Sequence, residues 1–260
     1  MLQEILLTVS TAAGGAADNA SALSKMGFSH MMAELMRDPA EFFVQWVVFI
    51  MLVVMSFGSW WYTIVNAIKN MVIAKRADTV VRTLWETPNA QDAIRFMEEQ
   101  PANEPFSKIA LDCAQAAAHH QRHDGSKLAE SLNRSEFVDR ALRQAVTRES
   151  LNLEAGLTVL ATTGSSAPFV GLLGTVWGIY HALIKIGSSG DASISAVAGP
   201  VGEALIMTAI GLFVAIPALL AYNAFVRSNR ITNNQFDTFA HDLHDFFATG
   251  ARVGDAAAKR

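Results

Sequence analysis

A single cysteine, Cys113, occurs in the 260 residues, so no intrachain disulfide can form. A lone reduced or buried thiol is the plain expectation. Charge is scarce as well: 17% of residues are charged, against about 25% in an ordinary soluble domain, while 51% are hydrophobic. The formal net charge is only −4 and no basic stripe is present, which argues against nucleic acid as a partner. No P-loop pattern occurs, so ATP is not expected as the direct energy source. Residues 1–20 are rich in Ala and Gly and lack the basic start and longer apolar core of a cleaved signal peptide; they read as a leader.

What the chain does have is three long apolar runs set in a polar remainder. Within residues 1–38, Phe28, Met31, Met32, Leu35 and Met36 recur at helical spacing. That short amphipathic helix suits a bilayer surface or a partner protein equally. Asp38, Pro39 and Glu41 form a helix start of capping residue, first-turn proline and reciprocal acid. The first span, 39–68, follows without a charge beyond Glu41, with Trp46 near one end and Trp60, Trp61 and Tyr62 near the other as interface aromatics. Lys69, Lys75, Arg76 and Arg82 come next and mark this end as cytoplasmic.

Residues 69–154 carry 12 Lys/Arg and 13 Asp/Glu, a mixture that reads as solvated surface rather than a binding patch. Two apolar faces emerge there, one from Phe106, Ile109, Ala110, Cys113 and Ala117, and one from Val138, Leu142, Ala145 and Val146, with Gly125 between them. They predict a helical cytoplasmic domain built in part by extending the membrane helices. The second span is 155–184, a Gly/Ser loop expected outside is 185–197, and the third span is 198–226, ending at Arg227 and Arg230. The tail, 227–260, has its own apolar period in Phe236, Phe239, Leu243, Phe246 and Phe247. The expectation is an all-α membrane protein with its N-terminus outside, three crossings and its C-terminus inside.

One acid, Glu203, stands near the start of the third run. A carboxylate at the centre of a span costs roughly 2.5–3.5 kcal/mol on insertion scales, less if it is protonated, partnered or wet. Two readings stand: Glu203 handles protons or ions, or it caps the helix N-terminus at headgroup level. Small residues form a stripe on each later span. Ala161, Gly164, Pro168, Gly171, Thr175, Gly178 and Ala182 share one face; Ala204, Thr208, Gly211, Ala215 and Ala218 share another. Such faces allow close helix packing or leave room for a channel. At about 100° per residue, Glu203 lies roughly 140° from Thr208 on a straight helix, though Pro200, Gly202 and Pro217 offer places for a bend.

Other motifs are weak. Gly187-Ser188-Ser189-Gly190 matches the G-x-S-G of an intramembrane serine protease, but the serine is expected in a loop and the nearest histidine, His181, belongs to the preceding span. His119 and His123 sit at metal-pair spacing in a polar helix with no accompanying acid, and His241 and His244 are similar. No metal, cofactor or enzymatic activity is expected. A passive scaffold would explain the topology but gives Glu203 no role.

The segments APFVGLLGTVWGIY (167–180) and GEALIMTAIGLFVAIPALLAYN (202–223) closely resemble the ExbB/TolQ family of inner-membrane proton-channel proteins, with the MotA flagellar stator subunit as a more distant relative. The strong resemblance covers roughly 162–227. It implies a ring-forming homo-oligomer, expected to be a pentamer, around single-span ExbD-like helices that carry a membrane Asp. It also implies a TonB-like protein that passes work to outer-membrane receptors for iron complexes, haem and cobalamin. The family's essential membrane Glu falls on Glu203 and its two pore threonines on Thr175 and Thr208. The chain departs from the family at Ala198-Gly199-Pro200-Val201-Gly202, where relatives commonly read Ala-Pro-Gly-Ile-Ala. The long stretch before Asp38 points to the ExbB branch. The TolQ branch, which serves outer-membrane integrity through TolR and TolA, is the alternative.

Overall fold

The structure is a computed structural model that describes residues 43–87, 89–122, 134–190 and 194–249. Among them are six helices and no strand: α1 (Phe43–Glu86), α2 (Ala90–Glu98), α3 (Pro105–Arg122), α4 (Arg134–Leu153), α5 (Leu157–Ser189) and α6 (Ile194–Thr249). The protein is all-α. Three stretches, Phe43–Glu86, Glu136–Ser189 and Ala198–Phe247, are long and apolar enough to cross a membrane. The Met-rich segment, the Asp38–Glu41 helix start, His123 and Gly125 lie outside the described residues, as do the side chains of His119 and His120.

The chain divides into two compact units, Met1–Trp61 with Val159–Ala221, and Tyr62–Thr158 with Tyr222–Arg260. Residues 62–68, 155–158 and 222–226, expected within the spans, therefore belong to the second unit. The local reason is a break between α4 and α5. Gly156 adopts φ +82, and a Cβ there would meet the Tyr62 ring at 2.0 Å. Only glycine fits both the left-handed backbone and the ring. The break leaves carbonyls without helical partners, and neighbouring side chains take them. Asn66 donates to Ala155 O at 3.2 Å, Asn229 donates to Leu153 O at 2.8 Å, and Lys69 Nζ donates to Asn152 O. Asn70 in turn donates to Asn229 Oδ1 at 3.3 Å. Tyr62, expected as an interface aromatic, is thus half-buried against the Gly156 turn, while Trp60 and Trp61 are exposed.

In the first unit, α5 and α6 run antiparallel with their backbones in contact. A Cβ on Gly171 would lie 2.6 Å from Met207 O, and a Cβ on Gly211 would lie 2.6 Å from Ala167 O. The same register pairs Gly164 with Leu219 and Gly178 with Ala204. Helix α1 is also antiparallel to α5: Gly58 lies against Val159, Val48 against Gly174 and Gln45 against Gly178. Consequently α1 and α6 run parallel. The core is thin, made of Val48, Leu52, Ala167, Met207, Val214 and Ala215. The outside is strongly apolar as well, with Phe57 (76%), Phe169 (71%) and Phe213 (78%) exposed, as suits a surface that meets lipid or apolar partner helices.

The loop expected over 185–197 is shorter than that. Helix α5 continues through Lys185 to Ser189, and α6 begins at Ile194. Composition suggested a loop, but the small polar residues finish the helix instead. Ser188 and Ser189 donate to the carbonyls of Lys185 and Ile186, and the Gly190 N–H donates to Ile186 O at 3.0 Å from a left-handed φ of +67. Likewise the third span and the apolar tail are one 56-residue helix, continuous through Pro200 and Pro217.

The second unit has a packed helical core. Phe106 meets Phe236 and Phe239 edge to face at 5.0 and 5.5 Å, amid Ile109, Cys113, Val138, Leu142 and Leu243. Most of its charge is solvated. The exceptions among the described residues are Glu104, whose Oε2 accepts from the Ser107 N–H at 2.5 Å, and Glu149, reached by Lys108 at 3.7 Å, Arg148 at 3.5 Å and Asn152 at 3.3 Å.

Two outcomes are expected. Gly211→Ala places a methyl against a backbone carbonyl, so α5 and α6 must separate, at a cost of about 1–3 kcal/mol; Gly187→Ala, with nothing within 4 Å, has no such clash. Thermal melting in detergent should fall for the first and not for the second. Burial, with Asp112 adding, pushes the Cys113 thiol up to about 12 from its ordinary 9.0. The folded chain holds this proton longer than the unfolded one. Its contribution to stability is therefore complete below about pH 9 and is lost as pH rises toward about 12. Iodoacetamide near about pH 8 should spare Cys113 in the folded protein and modify it in denaturant, whereas equal rates would refute its burial.

Candidate functional site

The polar groups of the first unit gather where α5 and α6 lie closest. Thr175 is buried at 6% exposure. Its Oγ1 lies 2.9 Å from Ala204 O, 3.2 Å from Gly171 O and 2.5 Å from Thr208 Oγ1. A hydroxyl donates one proton. The shorter carbonyl distance gives the Thr175 proton to Ala204 O, with Thr208 donating to Thr175. Thr175 and Thr208, on different helices, are thus brought together within one chain. Small neighbours make this possible, because the crossing at Gly171 and Gly211 draws the backbones within reach of a two-atom side chain.

Of the remaining small residues, Gly164, Gly171, Gly178, Gly211 and Ala215 are buried between the helices, and Pro168 is half-buried within the continuous α5.

Glu203 is half-buried on α6, directly before Ala204, the residue that receives the Thr175 proton. Helix α6 begins at Ile194, so Glu203 stands nine residues inside it. The favourable effect of a helix N-terminus on an acid fades beyond the first turn. The capping reading of Glu203 therefore fails. Four residues on from Glu203, Met207 packs on Gly174 and Val48. Residues four apart share a helix face, so Glu203 stands on the face of α6 turned toward α1 and α5.

Composition alone passes over three further groups at this end of the unit. Gln45 Nε2 would lie 2.9 Å from a Cβ on Gly178, and Ala204 Cβ is equally close to that point. The Trp177 indole N–H is buried without an acceptor among the described residues. His181 Nδ1 lies 3.2 Å from Trp177 O, and its ring stands 4.9 Å from that of Trp177 and 5.5 Å from that of Tyr180. Gln45 is uncharged and lone in an apolar run, so neither periodicity nor charge marks it. His241 and His244 approach Asp245 at 3.8 and 3.4 Å on the surface of the second unit. Among the described residues no group of His, Cys, Asp or Glu could hold a metal.

Residues 104–238 match the family described as the MotA/TolQ/ExbB proton channel family. A "Biopolymer transport protein ExbB" of Xanthomonas campestris is 64% identical over 255 residues, covering 97% of this chain and 100% of the relative. One of Neisseria meningitidis is 43% identical over 197 residues, 76% of this chain and 89% of the relative. A "Tol-Pal system protein TolQ" of Pseudomonas aeruginosa is 48% identical over 108 residues, 42% of this chain and 47% of the relative. A family match over more than half of the chain and a relative 64% identical along nearly its whole length show that the chain belongs to the MotA/TolQ/ExbB proton channel family.

Proposed function

We propose that this chain is the proton-channel subunit of an inner-membrane energy transducer of the TonB–ExbB–ExbD kind, in which Glu203 carries the proton. The observation that supports this most is the position of Glu203, well inside α6 and on its inward face, beside the Thr175–Ala204 contact. A protonated carboxyl is neutral and moves past an apolar wall cheaply; the carboxylate does not. One elementary charge crossing 100 mV supplies about 2.3 kcal/mol, so a few protons drive a conformational step. Thr175 and Thr208 line the proton path or shape the helix pair beside it.

In this reading the chain forms a homo-oligomeric ring, a pentamer, around an ExbD-like single-span protein with its own membrane acid, and a TonB-like protein takes the work to outer-membrane uptake of iron siderophores, haem or cobalamin. The basic flanks Lys69–Arg82 and Arg227–Arg230 support an orientation with the N-terminus in the periplasm and the C-terminus in the cytoplasm. The ExbB-type reading is favoured over the TolQ type of the Tol-Pal system because relatives named ExbB match over 97% and 76% of the chain, and the relative named TolQ over 42%. A passive scaffold leaves an acid in an apolar helix without a purpose.

The test is complementation of a bacterium that lacks both systems, scored as growth on a ferric siderophore or haem and as resistance to detergent. Restored iron growth that is lost in Glu203→Gln is the expected result. Rescue of detergent resistance instead would make the chain TolQ-type, and rescue that survives the substitution would remove Glu203 from the mechanism. Thr175→Val keeps the shape but removes the hydroxyl, and should lower iron-dependent growth rate or uptake roughly tenfold, as expected from a lost buried hydrogen bond. Thr175→Ser should retain most of it. Full activity in Thr175→Val, with a loss in Thr175→Ser, would assign Thr175 to shape alone.

A further inference from the structure

Two parallel helices, α1 and α6, face each other across α5 at the end of the first unit that carries Glu203. Val48 of α1 and Met207 of α6 meet over Gly174, where a Cβ would lie 3.0 Å from each. One turn earlier on α1 stands Gln45, and one turn earlier on α6 stands Glu203. Because the two helices run the same way, a turn back from a packed pair brings both residues to one level. The same glycine stripe supplies a second fix: the point where a Gly178 Cβ would sit is 2.9 Å from Gln45 Nε2 and 2.9 Å from Ala204 Cβ. The amide therefore lies less than about 6 Å from the residue that follows the acid. Gln45 is half-buried in an apolar stretch, with no charged or titratable residue on α1 from Phe43 to Trp61. A polar amide in such surroundings costs free energy unless it is hydrogen-bonded.

We propose that Gln45 is a positioning residue for Glu203: its side-chain amide hydrogen-bonds the carboxyl and holds it on the inward face of α6. The inference rests on the reading of Glu203 as the proton carrier. Its chemical logic lies in the amide, which has both donors and an acceptor. The N–H donates to the carboxylate and the C=O accepts from the protonated acid, so one partner serves both states. A lysine or arginine there would pin the charged form. An apolar residue would serve neither. The absence of a side chain at Gly178 leaves the space through which the amide reaches α6. The other titratable groups near this end are Tyr180, His181 and Lys185 of α5; His181 Nδ1 is already placed against Trp177 O.

The test uses the full chain with its partner proteins in proteoliposomes, and reads the infrared C=O stretch of a protonated carboxyl in difference spectra between acid and alkaline buffer. A band absent in Glu203→Gln identifies the acid. In Gln45→Met, which matches the length but not the polarity, that band should move to higher wavenumber, as for a carboxyl that has lost a hydrogen bond, and the pH profile of proton uptake should shift, with a roughly tenfold loss of rate. Gln45→Asn, which keeps a shortened amide, should fall between; it also serves if the Met variant does not fold. A band and pH profile unchanged in either folded variant would overturn the role of Gln45 while leaving Glu203 in place. If Glu203→Gln leaves every carboxyl band intact, the underlying reading fails instead.

Discussion

The contact of two backbones at Gly171 and Gly211 is the constraint on which the first unit depends. Lipid is as apolar as leucine, so burying apolar side chains between membrane helices gains little, and association rests on van der Waals contact and interhelical hydrogen bonds. Both require short distances. With 2.6 Å between each would-be Cβ and the opposing carbonyl, neither position admits a side chain. This crossing fixes the axial register of α5 and α6. The register in turn puts Thr175 against Ala204 and Thr208, and leaves Glu203 one residue from that contact. The threonines are effects of the crossing as much as contributors to it.

The second unit obeys different rules in the same chain. Its core of Phe106, Phe236, Phe239, Ile109 and Leu243 is a packed aromatic and aliphatic cluster, the kind that apolar burial drives in water. Its most demanding feature is the α4–α5 break. A helix interrupted in the interior must find donors for its orphan carbonyls, and the chain supplies Asn66, Lys69 and Asn229 from α1 and α6. Asn66 and Asn229 are nearly inaccessible for that reason. Polar residues near the ends of apolar runs here serve the backbone rather than a ligand.

The spans were legible because length and lack of charge are properties of one stretch at a time, and the faces carrying Phe106 and Phe236 because helical period is local too. Partners distant in sequence were not. Asn66 and Ala155, or Asn229 and Leu153, come together through tertiary register, for which a single chain offers no signal. Gly156 looks like the ordinary start of a span until its φ and the Tyr62 ring are known. The end of α5 is not marked by composition, because Ser and Gly are common both in loops and in helix caps, and only the hydroxyl contacts distinguish them. Thr175 and Thr208 could each be assigned a helix face from spacing. That they touch follows from the glycine crossing, a relation between two faces.

The crossing also restricts how a change of charge on Glu203 can act. Helices with glycines pressed on opposing carbonyls do not slide gradually. A shift of α6 by one residue brings Ile210 or Leu212 to the place of Gly211, which has no room for a methyl group. Packed interfaces of this kind are discrete rather than continuously deformable. With α5 and α6 held as one body through Gly164, Gly171, Gly178 and Gly211, protonation of Glu203 is ill suited to moving one of these helices along the other. If Glu203 carries the proton as proposed, the effect falls on what adjoins the pair at the level of the acid. On α1 the polar group at that level is Gln45, whose Nε2 and the Ala204 Cβ of α6 both border the space left open at Gly178.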